Sequence, residues 1–456
     1  VPVDGGHVGE GVPERAHAGS IVHAMPLSVE EQRVCDAIAE GRDELVELLR
    51  ALIRFDTVTH TAGAPPRDEA ALQALLGERL AAAGADVRIW EPDPALVAGH
   101  PMTPDGFTFD GRPQLAARFA GTGGGRSLIL NGHIDVVEPG DLAEWEHPPF
   151  AAVVADGYVH GRGACDMKGG VACMTFAAET LARLGVRLRG DLTVCTNSEE
   201  ESTGCGGLAM ARTLTADAVI VTEPSALDVW IACRGSLLPS VVIPGRAGHA
   251  GMEPIPPEQG GPVNAIEKAP LVLEAVAALR EEWRSRPGHP LLANGGCVPT
   301  MIEGGTWIVS YPESCRISFH IQYLPDQADE HGYGSAVARA FEERIRAATE
   351  RDPWLREHPV RVEWLVGGVP PAEVAEDDPV VQAAVGALHD VGAPGRIAGL
   401  DNWHDGATFV VEAGIPAICV GPNHISGAHT SAERTDIDGL VTCAQALAVA
   451  AMRFCA

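Results

Sequence analysis

Five acid and imidazole side chains, each set in its own short motif, constrain this chain more than any other feature. They are His133 in Asn-Gly-His-Ile-Asp, Asp166 in Gly-Arg-Gly-Ala-Cys-Asp-Met-Lys-Gly-Gly, Glu201 in Ser-Glu-Glu-Glu-Ser-Thr-Gly, Glu223 in Val-Thr-Glu-Pro-Ser and His429 in Gly-Ala-His-Thr-Ser-Ala-Glu. Most of these motifs follow a short apolar run that reads as a strand. Ser127 to Leu130 delivers His133, Asp191 to Thr196 feeds the acidic cluster, Ala218 to Val221 ends at Glu223, and Ile415 to Val420 precedes the loop that carries His429. Open α/β sheets place their sites at the carboxyl ends of strands. Two imidazoles and three carboxylates suffice to hold a pair of divalent metals with one carboxylate shared. Such a pair turns water into a nucleophile at neutral pH. The motifs therefore point to hydrolysis, with an amide as the expected bond.

The rest of the chain alternates in the same way. Helices are expected over Ser28 to Phe55, where Ser28 and Glu31 fit a capping box, over Ala70 to Ala83, over Gly169 to Leu184 and over Gly439 to Phe454. Asp86 to Trp90 and Gln114 to Phe119 read as further strands. This alternation predicts an α/β domain with a mostly parallel sheet covered by helices on both faces. Residues 235–369 differ. Val241 to Ile243, Thr306 to Ser310, Cys315 to Tyr323 and Val360 to Leu365 are strand-like, with helices from Asn264 to Trp283 and from Tyr333 to Arg351. That is an α+β unit of four strands and two helices. It is inserted, because His429 lies beyond it and the other four residues before it. The expected division is a disordered extension over 1–27, a metal-binding domain from 28–234 and 370–456, and an inserted unit over 235–369.

Composition narrows the partners. With 456 residues the chain exceeds one typical core. A net charge of −29 argues against nucleic acid and anionic lipid. No stretch of about 18 uncharged apolar residues suggests a membrane span. Eleven cysteines without a Cys-x-x-Cys pair suit buried thiols in a reducing cytoplasm. Cys165 and Cys205 lie inside the acidic motifs and read either as extra ligands or as bland neighbours. The segment before Met25 is Gly-rich and polar, without an apolar signal core.

Each motif has an ordinary reading beside the chemical one. Asp135 stands two residues from His133, so in an extended stretch it points the same way and can orient the ring rather than bind metal. Asp166 alone would be a turn residue, and its bond to Met167 is a candidate cis peptide. Glu199, Glu200 and Glu201 would ordinarily be a solvated charge run. Beside other ligands, one carboxylate can bind a cation while a neighbour moves a proton. Pro224 holds Glu223 extended. His249, in Gly-Arg-Ala-Gly-His-Ala-Gly, is either a surface histidine or an oxyanion donor. His404 and Asp405 are open between a supporting role and none, and His424 competes with His429.

Taken together and in this order, the motifs resemble the dinuclear zinc amidohydrolase and exopeptidase family that includes acetylornithine deacetylase, succinyl-diaminopimelate desuccinylase, aminoacylase and glutamate carboxypeptidase. The resemblance spans about residues 30 to 456. It implies that His133 and Glu223 bind one metal, Glu201 and His429 the other, and that Asp166 bridges them. It implies Asp135 behind His133 and Glu200 as general base, with Glu199 as the alternative if the register slips by one. Zinc is the default metal, and cobalt and manganese suit the same ligands. The resemblance further implies a homodimer through the inserted unit, with His249 reaching the partner's site. Relatives that bind a substrate carboxylate often carry an arginine where this chain has Gln322; a neutral amide does not replace a guanidinium. Arg316 and Arg246 are the available substitutes, and Asn423 in Gly-Pro-Asn is expected to take a left-handed backbone or add a polar contact. The implied activity is deacylation of an N-acylated amino acid or related small molecule. A dipeptidase or carboxypeptidase on the same site is the alternative, and a non-catalytic metal-binding relative is the third reading.

Overall fold

The computed structural model describes residues 26–59, 65–253, 255–365 and 367–456. Most of the expected N-terminal extension lies outside them. Nine strands form the main sheet. Their order is Asp86–Trp90, Gln114–Phe119, Leu192–Asn197, Leu128–His133, Ala218–Val221, Ala417–Cys419, Val229–Cys233 and Ala372–Glu373, with Ile397–Leu400 also paired to Val229–Cys233. The central four, from Leu192–Asn197 to Ala417–Cys419, run parallel, and the strands outside them are mainly antiparallel. Every residue of Leu128–His133 and Ala218–Val221 is buried, so both faces of the sheet centre are covered.

Helices supply that cover. Lys168–Arg183 packs on Leu128–His133, and Ile437–Phe454 packs on Lys168–Arg183, on Pro379–Asp390 and on Val29–Glu40. Ile437–Phe454 is long and apolar enough to cross a bilayer by composition, yet its apolar face is spent on these helices. The single helix expected over Ser28 to Phe55 is two, Val29–Glu40 and Arg42–Ile53, broken at Gly41. A Cβ there would lie 2.6 Å from the Phe176 ring, so the break lets both helices close on the core. The Ser28–Glu31 capping box is present. All eleven cysteines are free and buried, as small apolar side chains are.

The inserted segment builds its own antiparallel sheet in the order Gly296–Gly304, Ser314–Tyr323, Pro239–Pro244, Arg361–Trp364, with Gly235–Leu237 added to the end of Ser314–Tyr323. Burial along Ser314–Tyr323 alternates. Cys315, Ile317, Phe319, Ile321 and Tyr323 enter a core shared with helices Ala269–Arg284 and Ser335–Thr349. Arg316, Ser318, His320 and Gln322 therefore share the opposite face. The strand expected over Thr306 to Ser310 is instead a loop over 306–309, and Ser310 opens the two-residue strand Ser310–Tyr311. The edge strand is Gly296–Gly304, whose Pro299 and exposed residues hide the alternation that marks a strand.

Candidate metal centre

Four of the five motif residues sit at or beyond the carboxyl ends of parallel strands. His133 is the last residue of its strand and pairs in register with Asn197, just before the acidic cluster. Glu223 follows Ala218–Val221, and the loop after Ala417–Cys419 crosses against it. A Cβ on Gly421 would lie 2.1 Å from the Glu223 carbonyl oxygen, so only glycine permits that crossing. Asp166 comes from the turn before helix Lys168–Arg183, and its bond to Met167 is cis.

The five side chains converge. His133, Asp166 and Glu223 form one cluster and Asp166, Glu201 and His429 a second, with the donor atoms of each cluster within 4.8 Å of one another. His133 Nε2 lies 3.1 Å from Asp166 Oδ1 and 3.5 Å from Glu223 Oε1. His429 Nε2 lies 3.4 Å from Asp166 Oδ2 and 3.2 Å from Glu201. Asp166 thus faces both imidazoles, one with each oxygen. The arrangement fits a pair of divalent cations, because it brings several carboxylates together around two imidazoles. Among the described residues lining the adjoining cavity, none is arginine or lysine.

Burial opposes charge throughout the cluster. It pushes the Glu200 and Glu223 carboxyls well above their usual range and Glu201 upward. Burial pushes Asp166 the same way, but the His133 and His429 imidazoles outweigh it and hold that carboxyl low. His133 is held protonated well above its usual range against burial, by Glu223 and Asp166. His429 is half-exposed and is pushed up to about 10 by its hydrogen bonds to Asp166 and Glu201. Divalent ions bound among these groups would displace their protons.

The surrounding shell fixes these groups. Asp135 accepts the backbone N–H groups of Glu200 (3.3 Å) and Glu201 (3.1 Å), and its own carbonyl oxygen lies 2.8 Å from His133 Nδ1. It braces both halves of the site. Glu433 accepts the N–H groups of Cys165 (2.9 Å) and Asp166 (3.0 Å) and pairs with buried Arg162. Sequence reading placed Glu433 in a pattern but gave it no role. The three adjacent glutamates separate cleanly. Glu199 has a left-handed backbone (φ 71°) and turns inward to Arg112 (2.7 Å) and the Ser202 hydroxyl. Glu200 lines the cavity, with Oε2 4.0 Å from His133 Nε2.

Other candidates lie elsewhere. His249 is exposed on the two-residue strand Gly248–His249, paired with Ser310–Tyr311, and does not line this chain's cavity. Gln322 donates to the Asp401 carbonyl oxygen (3.0 Å) rather than facing the cavity. Arg316 pairs with Glu363 (2.7 Å) across the inserted sheet, and Arg246 donates to the carbonyls of Pro257 and Gly261; both guanidiniums are engaged away from the cavity. Asn423 is left-handed (φ 63°), and its side chain bonds Thr435 and the Asp436 amide, which makes it a loop clasp. His404 is buried and caps the Gly406 amide, Asp405 accepts from Asn197, and His424 caps Ser426; none belongs to either cluster. Neither do Cys165 and Cys205, whose thiols burial pushes up. The cavity wall opposite the metal cluster carries Ser236, His320, Asn402 and Trp403, which sequence reading passed over.

The sequence profile of peptidase family M20/M25/M40 matches residues 129–453 of this chain. The chain belongs to that family. Among its M20 relatives is N-formyl-4-amino-5-aminomethyl-2-methylpyrimidine deformylase of Halalkalibacterium halodurans, 29% identical over 443 residues, covering 91% of this chain and 95% of the relative. Succinyl-diaminopimelate desuccinylase 2 of Shewanella loihica is 30% identical over 391 residues, covering 80% and 90%. The solved structure of human carnosine dipeptidase 1 shares the fold, with a TM-score of 0.71 at 16% identity over 94% of this chain and 100% of that one. This M20 chain is a metal-dependent hydrolase of amide bonds.

Proposed function

We propose that this chain removes a small acyl group from a small N-acylated amine, using two divalent cations of which zinc is the default. His133 and Glu223 would hold one, Glu201 and His429 the other, with Asp166 between them. The observation that carries the reading is Asp166 shared between two imidazole–carboxylate clusters, with Glu200 facing the same cavity. Bound there, the cations supply the Lewis acidity that brings the pKa of water toward neutrality and polarises a carbonyl.

The chain's own residues do the rest. Glu200 takes a proton from the attacking water and returns it to the departing nitrogen, so that one water and one amide become an acid and an amine. That relay is worth about 10²–10⁴ in rate. Glu199 is already committed to Arg112, which supports Glu200 as the base. Asp135, holding the Glu200 and Glu201 amides, keeps base and ligand in register. The names of the deformylase and desuccinylase relatives support acyl removal over peptide cleavage.

We further propose a homodimer through the inserted unit, with His249 completing the neighbouring site as an oxyanion donor. The supporting observation is the open edge strand Gly296–Gly304 with its exposed Met301 and Ile302, next to the loop carrying Trp307 (68% exposed) and Ile308 (92% exposed). Open edges of this kind pair with another chain.

The test is amine release from N-formyl, N-acetyl and N-succinyl amines and from dipeptides, with zinc, cobalt or manganese added. Glu200→Gln should lose at least about a hundredfold in kcat with metal still bound, while Glu199→Gln should chiefly lower stability. Full loss in Glu199→Gln with Glu200→Gln active would move the base. Faster cleavage of dipeptides would select the peptidase.

A further inference from the structure

The rest of the cavity lining beside the metal cluster comes from segments far apart in sequence, three of which carry Ser236, His320, and Asn402 with Trp403. His320, on strand Ser314–Tyr323, lies with Nε2 3.0 Å from the Ser236 hydroxyl, and both line the cavity. Asn402 and Trp403 come from the loop after strand Ile397–Leu400. That loop is clamped from outside. The Asp401 carbonyl oxygen accepts from Gln322 (3.0 Å) and from the Arg234 guanidinium (Nε, 3.0 Å). The Asp401 carboxylate accepts the Ala293 amide (2.7 Å), and the Asn402 carbonyl oxygen accepts the Arg234 amide (3.0 Å). Arg234 is therefore engaged by this loop, with the Asp401 carboxylate at 3.7 Å and the Asn294 carbonyl oxygen at 3.3 Å as its further contacts.

Away from the metal cluster, the described residues lining the cavity are uncharged. Leu238, Val369, Leu400 and Ile425 line the space around Trp403, whose buried indole N–H has no hydrogen-bond partner among the described residues. The His320 imidazole is held below its usual value by burial and by Arg234, so it stays neutral at pH 7. Neutral imidazole and hydroxyl together offer one donor and one acceptor, whichever tautomer is present. The cavity is about 280 Å³, room for one ring and a short acyl amide. With Asp166, Glu201 and Glu223 assigned to the cations, a carboxylate on the amine half would share the cavity with the Glu200 carboxyl and this uncharged wall. Among the described residues lining the cavity it would find no guanidinium or ammonium to pair with.

Resting on the amidohydrolase reading above, we propose that His320 with Ser236, and Trp403 on its clamped loop, determine specificity by selecting an N-acyl amine whose amine half is neutral and flat, and by rejecting α-carboxylates. His320 and Trp403 are specificity-determining, and Gln322 is a positioning residue that fixes the loop.

A matched pair of substrates isolates the claim. N-formylphenethylamine and N-formyl-L-phenylalanine differ by one carboxylate. The metal-loaded full chain should cleave the first with a kcat/KM at least about tenfold higher. H320R should shrink or invert that ratio by adding a cation, whereas H320Q, which keeps a neutral hydrogen-bonding group, should retain it. Gln322→Ala should raise KM for the neutral amide more than it lowers kcat. A wild-type preference for the phenylalanine amide, or an H320R ratio unchanged from wild type, overturns the proposal. If neither amide is cleaved with any of the three metals, the hydrolase reading fails on its own. Calorimetry of the two uncleaved formamides, N-formylphenethylamine and N-formyl-L-phenylalanine, on the same protein then decides the specificity claim. Tighter binding of N-formylphenethylamine supports it, and equal or tighter binding of N-formyl-L-phenylalanine overturns it.

Discussion

Replacing Glu433 by glutamine tests whether the support around the site is as consequential as the cluster it holds. Glu433 is 1% exposed, and Arg162, its partner, 2%. One Glu433 oxygen accepts the Cys165 and Asp166 amides while the other meets the guanidinium. Glutamine keeps the shape but supplies one acceptor and one donor. If its oxygen stays with the two amides, its NH₂ faces the arginine, donor against donor. If it turns over, two buried N–H groups lose their acceptor. Both outcomes leave a buried cation without its counter-charge. Breaking a buried pair from one side costs about 3–5 kcal/mol. At roughly 2–4 °C per kcal/mol, the apparent Tm should fall by about 6–20 °C. Because the Asp166 amide is one of the groups released, metal affinity should also fall, by about 10–100-fold. Thermal melts of metal-free protein read the first effect, and competition with a chromophoric chelator reads the second. Adding Arg162→Met should recover part of the stability by removing the orphaned charge, without restoring metal affinity. A Tm within about 2 °C of wild type together with unchanged metal affinity would refute the reasoning.

Three further outcomes follow from the same geometry. Chelation should abolish hydrolysis and lower Tm. Saturating zinc at about a hundred times Kd should restore roughly 2.7 kcal/mol, and an unchanged melt would count against a bound metal. At the junction of the two units, Glu412 meets His100 (3.1 Å), Tyr333 (2.9 Å) and Arg212 (2.6 Å). The His100 hydrogen bond, against burial and with help from Arg212 and Tyr333, holds its carboxyl down to about 2 from an ordinary 4.5. A depressed carboxyl stabilises fully above its unfolded value and loses that contribution as pH falls from about 4.5 to 2, so Glu412→Gln should melt lower than wild type at pH 7 and converge with it toward pH 2. Finally, mixed dimers of His249→Ala and Glu200→Ala chains should regain activity that neither homodimer has; no recovery would remove His249 from the neighbouring site.

The fold's centre was legible because its strands are short apolar runs, each followed by one acidic or imidazole residue, as at Leu128–His133 and Ala218–Val221. Two strands, Asp86–Trp90 and Gln114–Phe119, were read to the residue. The edge strand Gly296–Gly304 was not, because an exposed edge carries no burial alternation and this one contains Pro299. The close approach that requires glycine at 41 was invisible because the Phe176 ring lies far along the chain. The same distance hid the wall of the cavity. Gln322 attracted notice as a departure from an expected arginine, yet the residue that lines the cavity is His320, two positions earlier on the same strand face, and its partner Ser236 is distant in sequence. Glu199 and Glu200 could not be told apart by composition either. The distinction lies in Arg112, which draws one of them inward.

The most direct measurement is anomalous diffraction at the zinc edge from crystals of the zinc-loaded full chain. The account expects two peaks per chain, one among His133, Asp166 and Glu223 and one among Asp166, Glu201 and His429, with Glu200 beside them and coordinating neither. A single peak, peaks away from Asp166, or Glu200 bound as a ligand would contradict a shared-carboxylate centre with a free glutamate base.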